Sequence, residues 1–247
     1  PRHCCWIETG VNGIRTYEEV MENIFDNREE AARAAADRIS EALQRRLEAQ
    51  GAASVVVSGG TSPAGVFAEL ARKALAWSDV HVILSDERWV PADHEDSNEK
   101  LVRETLLRGE ARDATLLPVY KAGVTIEERC AELNDELRLA PFPFASALLG
   151  MGEDGHFASL FPDAENLREG LDVDSNVLCI PVNTAASPHP RVSLTLSALS
   201  RSDEILLLIF GDAKREIYET AKKDANGYPV SHLLREKRAP VHVYWAP

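Results

Sequence analysis

Short apolar, β-branched runs that end in glycines or charged residues and then give way to helical patterns constrain this fold more than any other feature. Ser54-Val55-Val56-Val57 runs into Ser58-Gly59-Gly60-Thr61-Ser62-Pro63, and a helical pattern follows through Gly65–Ala76. Val80–Leu84 ends at Ser85-Asp86-Glu87-Arg88-Trp89, ahead of a helical pattern over Asn98–Leu107. Another helix is expected over Ile126–Leu139, before the run Phe144–Leu149. Val177–Val182, Arg191–Leu194 and Glu204–Phe210 read as strands, a helix follows over Asp212–Lys222, and Val241–Trp245 is the last strand. An Ala-, Arg- and Glu-rich helix over Arg28–Gln50, closed by Gly51, precedes them all. Strands alternating with helices require right-handed crossovers and a sheet covered on both faces. The expectation is a single-domain α/β protein over residues 1–247, with a Rossmann-like, mostly parallel sheet and helices on both faces. In such sheets ligands bind outside the carboxyl ends of the strands. The unusual polar residues fall there repeatedly: after Val57, Leu84, Leu149 and Phe210.

Residues 150–162, Gly-Met-Gly-Glu-Asp-Gly-His-Phe-Ala-Ser-Leu-Phe-Pro, follow one of these strands. His156 takes up protons near neutral pH, and Asp154 two residues away can fix its tautomer, so the pair is a proton-transfer candidate. Gly150-x-Gly152-x-x-Gly155 also matches a dinucleotide fingerprint, with Asp172 or Asp174 about 20 residues on. That reading fails: Glu153 and Asp154 would oppose a pyrophosphate, and Pro162 leaves little room for a helix. The other histidines, His3, His81, His94, His189, His232 and His242, have no comparable setting and read as structural or exposed.

Net charge is −13, which argues against nucleic acid and anionic membranes as partners. A small anion would need local cations and backbone N–H groups. Gly59, Gly60 and Thr61 can expose such N–H groups ahead of a helix, with Ser62 as its N-cap and Pro63 at its first position. Arg88 offers a planar donor fork, Arg191 follows the rigid Pro188-His189-Pro190, and Lys214 opposes the dipole of the helix it begins. These are the candidate phosphate ligands. Asp93, Asp96, Ser97 and Asn98 read as capping residues, and Glu87 is left open between catalysis and orienting Arg88. Cys4, Cys5, Cys130 and Cys179 show no metal spacing and imply a reducing compartment. Glu8, Glu18 and Glu19 interrupt any early apolar stretch, so a cytoplasmic protein is expected. No Gly-x-Ser-x-Gly elbow or His-Glu-x-x-His zinc motif is present.

Taken in order, Ser58–Pro63, Ser85–Pro91, Ser97-Asn98, Gly150–Pro162, Arg191–Thr195 and Gly211–Lys214 resemble the 6-phosphogluconolactonase family. That family shares its fold with glucosamine-6-phosphate deaminase. In the deaminases the Asp-Gly-His is followed by Ile-Ala-Phe-Asn-Glu-Pro, where this chain has Phe157-Ala158-Ser159-Leu160-Phe161-Pro162. The acid after the second strand sits in a Met-Asp-Glu-Tyr-like context there, against Ser85-Asp86-Glu87-Arg88 here. Phe157 and Ser193 stand where lactonases often have Thr. The resemblance implies hydrolysis of a sugar-phosphate lactone, with His156 as general base, Asp154 orienting it, and the phosphate held by Gly59–Thr61, Arg88, Arg191 and Lys214. It implies neither a metal nor an organic cofactor. The protein would be a monomer or a small homo-oligomer acting on a small molecule. An amino-sugar-phosphate deaminase or isomerase, or a non-catalytic sugar-phosphate sensor, are the alternatives.

Overall fold

A computed structural model describes residues 20–247; the readings made for His3, Cys4, Cys5, Glu8, Glu18 and Glu19 lie outside them. The elements are β1 (Met21–Ile24), α1 (Arg28–Gln50), β2 (Ala53–Val57), α2 (Ala64–Leu70), β3 (Val80–Leu84), β4 (Asp86–Arg88), α3 (Asn98–Thr105), β5 (Thr115–Leu116) and α4 (Ile126–Leu139). They continue with β6 (Ser146–Leu149), α5 (Leu167–Leu171), β7 (Cys179–Val182), β8 (Arg191–Leu194), α6 (Leu196–Leu199), β9 (Ile205–Phe210), α7 (Asp212–Lys223), α8 (Pro229–Leu233) and β10 (Val241–Ala246).

Seven strands form one sheet in the order β1-β10-β9-β6-β2-β3-β5, and every pair in it is parallel. All five residues of β2 and all four of β6 are buried, the signature of a sheet covered on both faces. α1 packs against α2, β2, β6 and β10. Its start is fixed by Asn27, whose side chain accepts from Glu30 N–H, and its end by Gly51 in the left-handed conformation at φ +76°. The buried apolar side chains from all these elements join in one cluster.

Three local expectations need correction. α2 ends at Leu70, not Ala76, because Arg72 and Lys73 donate to Glu69 and Leu70, turns that unwind the helix. Its cap position is Pro63, and Ser62 makes no capping bond. The polar stretch after β3, for which no element was expected, also forms one. Asp86–Arg88 is the strand β4, antiparallel to β8, which in turn pairs with β7 in a separate three-stranded sheet. Polar residues can be buried there because each carboxylate has donors, described next.

Candidate active site

The winding of the large sheet reverses between β2 and β6, which makes the crevice at their carboxyl ends the topological switch point. The loops carrying the candidate residues leave four consecutive strands. Lys214 follows β9, His156 follows β6, Gly59–Thr61 follow β2 and Arg88 follows β3.

The His156 loop closes on itself through Gly152 N–H to His156 C=O at 2.9 Å and Gly155 N–H to Gly152 C=O at 3.1 Å. It is not a helix, as expected from Pro162. Gly155 needs φ +74° and lies against the Tyr228 ring, while its carbonyl accepts from Val230 N–H of α8. Ala158 sits at φ +48°, the one non-glycine residue in the left-handed region among the described residues. Such strain persists where surrounding structure enforces it.

Asp154 Oδ1 lies 2.5 Å from His156 Nδ1. A carboxylate can only accept, so this partner assigns the proton to Nδ1 and leaves the Nε2 lone pair for a substrate or water. Nε2 has no hydrogen-bond partner among the described residues. The imidazole is half-buried and packs on the Phe161 ring at 4.1 Å between centroids.

Gly59 is required by contact: an added Cβ would lie 1.8 Å from Asn98 Oδ1. Asn98 is held against the β2 loop by donating from Nδ2 to Asp86 C=O at 2.8 Å. Gly60 adopts φ +90° in open space. Among the described residues, the N–H groups of Gly59, Gly60 and Thr61 meet no acceptor.

Arg88 and Arg191 are directly paired across β4 and β8. Arg88 donates from Nη1 to Asp96 C=O at 2.5 Å, and its buried Nε has no acceptor. The Arg191 side chain is 13% exposed. It donates from Nε to Ser187 Oγ at 3.0 Å, lies 3.5 Å from Asp86 and stands 5.3 Å from the Phe161 ring centre. Burial pushes its pKa down, and neighbouring Asp86 opposes that shift. Asp86 in turn accepts from Ser85 Oγ at 2.9 Å and Ser159 Oγ at 2.6 Å, and the Ser159 N–H donates to Ser193 Oγ. The small sheet is thereby bound to the His156 loop. Lys214 occupies the first turn of α7, half-buried, with no ion-pair partner among the described residues.

Glu87, left open by the sequence, is only 1% exposed. It accepts from the N–H groups of Arg88, Asn98 and Glu99 and from Ser97 Oγ, at 2.7–3.1 Å. Burial pushes its carboxyl up, while these donors at the N-terminus of α3 pull it down. With both oxygens bound by protein donors, it organises the Arg88 and Asn98 segment. Asn98, Asp86, Ser159 and Phe161 escaped the sequence reading. Ser97-Asn98 read as a capping pair, and the stretches holding all four carried the resemblance without giving them a role, because their partners are non-local.

These observations define a doubly wound α/β protein with a His–Asp pair and uncommitted backbone N–H groups at its switch point, flanked by cations. A family model described as glucosamine-6-phosphate isomerases/6-phosphogluconolactonase matches residues 26–245, and the chain belongs to that family. A 6-phosphogluconolactonase of Mesorhizobium japonicum is 40% identical over 91% of this chain and 94% of its own length. One from Caulobacter vibrioides is 41% identical over 90% of this chain and 95% of its own. The crystal structure of a 6-phosphogluconolactonase from Shewanella baltica superposes with a TM-score of 0.88 at 36% identity. It covers 94% of this chain and all of the other.

Proposed function

We propose that the chain hydrolyses 6-phospho-D-glucono-1,5-lactone to 6-phospho-D-gluconate in the oxidative pentose phosphate pathway. The observation that carries this reading is the His156–Asp154 pair, its Nε2 uncommitted at the switch point. The relatives named 6-phosphogluconolactonase along nearly their whole length support it. Water attacks the lactone carbonyl as its proton passes to His156 Nε2. The tetrahedral intermediate then expels the ring oxygen, which takes that proton back from the imidazolium. Asp154 keeps the ring oriented throughout and stabilises its cationic form. The phosphate rests on the N–H groups of Gly59–Thr61, with Lys214, Arg88 and Arg191 around it. Gripping this far end places the carbonyl at the base, a positioning contribution. Among the described residues no helix is long and apolar enough to cross a membrane, and the reading places the enzyme in the cytoplasm.

The test is lactone hydrolysis above the spontaneous rate. His156→Asn should lower kcat by about 10²–10⁴-fold while 6-phosphogluconate still binds. Lys214→Ala should chiefly raise KM. A wild-type rate at background, or ammonia release from glucosamine 6-phosphate, would overturn the reading.

A further inference from the structure

Two imidazoles and one carboxylate that the proposed chemistry does not use converge beside Arg88. His94 and Asp96 lie on the loop between β4 and α3, and His189 lies on the loop between β7 and β8. One ligand atom from each falls within 4.8 Å of the others. His189 Nε2 is 3.0 Å from Asp96 Oδ2, and His94 Nδ1 is 3.8 Å from the same oxygen. The two imidazole rings meet edge to face, 5.4 Å apart.

We infer that His94, Asp96 and His189 form a binding site for a first-row divalent cation of the zinc type, separate from the His156 site. Metal–ligand bonds of about 2.0–2.1 Å put neighbouring ligand atoms of a tetrahedron about 3.3–3.4 Å apart. The two separations from Asp96 Oδ2 bracket that spacing, and side-chain rotation would bring the two imidazole nitrogens, within 4.8 Å of each other, to it. Two nitrogens and one carboxylate oxygen suit zinc and its neighbours, and three protein ligands leave a position for water. His94 is already in the required protonation form, whereas His189 Nε2, which donates to Asp96 Oδ2, gives up its proton when an ion binds. His94 Nδ1 accepts the Asp96 N–H at 3.1 Å, so it is the unprotonated nitrogen, and an ion would take over that lone pair.

The backbone beneath is already fixed. Trp89 N–H donates to Pro190 C=O at 2.8 Å, continuing the β4–β8 pairing into both loops. Each loop holds one of the two paired arginines, Arg88 through Asp96 C=O and Arg191 through Ser187 Oγ. A cation here clips the two loops together. The Arg88 charge nearby opposes it and keeps the affinity moderate.

The test is titration of the full-length protein, freed of metal, with Zn²⁺ by calorimetry and with Co²⁺ by visible absorption. One equivalent should bind, give the d–d absorption of a low-symmetry N/O site, and raise Tm. His94→Ala and His189→Ala should each weaken binding at least about 10-fold and abolish the Tm rise. Asp96→Asn, which keeps a hydrogen-bond acceptor for His189, should weaken it likewise and guards against a folding defect. No binding to the wild type would reduce the cluster to an ion pair and overturn the inference. So would binding unchanged in both histidine variants, or a thiolate-to-cobalt charge-transfer band, which would move the ion to the cysteines.

Discussion

Gly152 shows how a residue can be fixed by what touches it and not by its backbone. A Cβ there would lie 2.3 Å from His156 Cε1 and Nδ1 and 2.7 Å from Asp154 Oδ1. The backbone is not in the left-handed region, so alanine would cost little strain and would act on the imidazole directly. Gly152→Ala should lower kcat by about 10–100-fold, as expected for a catalytic group displaced by about 1 Å. Gly150→Ala is the control, since a Cβ there meets nothing within 4 Å. Steady-state kinetics of both variants decide it, and near-wild-type kcat for Gly152→Ala would show that the ring has room to move. The sequence identified the glycines as turn formers. It could not show that Gly152 is an empty space kept for the histidine, because that is visible only once the loop has closed.

At the scale of elements, Glu87 binds β4 to α3. Four donors converge on its buried carboxylate, two of them from the first residues of α3, where a negative charge also complements the helix dipole. Glu87→Gln keeps one acceptor and should cost about 1–2 kcal/mol, whereas Glu87→Ala leaves several buried donors unmet and should cost about 3 kcal/mol. Urea unfolding measures both. Because Glu87 faces only protein donors, Glu87→Gln should retain kcat within about tenfold, far from the loss expected for removing a general base. A loss as deep as that of His156→Asn would put Glu87 in the proton-transfer chemistry. Elements of this kind were unevenly legible. α1 and α4 carry local signals, an Asn cap with a closing glycine and a Thr125–Glu128 capping box, and their bounds were readable. β4 was not, because its polar residues are buried by partners from β8, α3 and the Ser159 segment, far away in sequence. β1 and β5 are too short to show a period, and they exist by pairing with β10 and β3.

Across the whole molecule, the mostly parallel sheet and the gathering of polar residues at its strand ends followed from the strand–helix alternation, whereas the strand order that puts the switch point between β2 and β6 did not. What alternation cannot show is how a sheet interior accommodates charge. On β10, at the other side of the large sheet from β3, His242 is buried with its Nε2 2.7 Å from Arg38 Nη2, and Arg38 pairs with Glu204 at 2.9 Å. Burial, with the Arg38 charge adding to it, lowers the His242 pKa to about 4 from its ordinary 6.5. The folded protein therefore holds this ring neutral while the unfolded chain protonates it. Stability should fall as pH drops from 6.5 to 4, by at most about 1.4 kcal/mol per pH unit and about 3 kcal/mol in total. Glu204 works the other way. Burial raises its carboxyl pKa, so the folded state gains a proton there sooner than the unfolded one and offsets part of the loss. Tyr244, which also faces Arg38, is held protonated by burial and does not titrate in this window. His242→Gln keeps an acceptor for Arg38 and removes the titration. Unfolding free energies at pH 7, 5.5 and 4.5 should fall less steeply for this variant than for the wild type, by up to one proton's slope. Parallel pH profiles would mean that His242 takes up its proton at the same pH in the folded and unfolded states, so that burial does not hold it neutral.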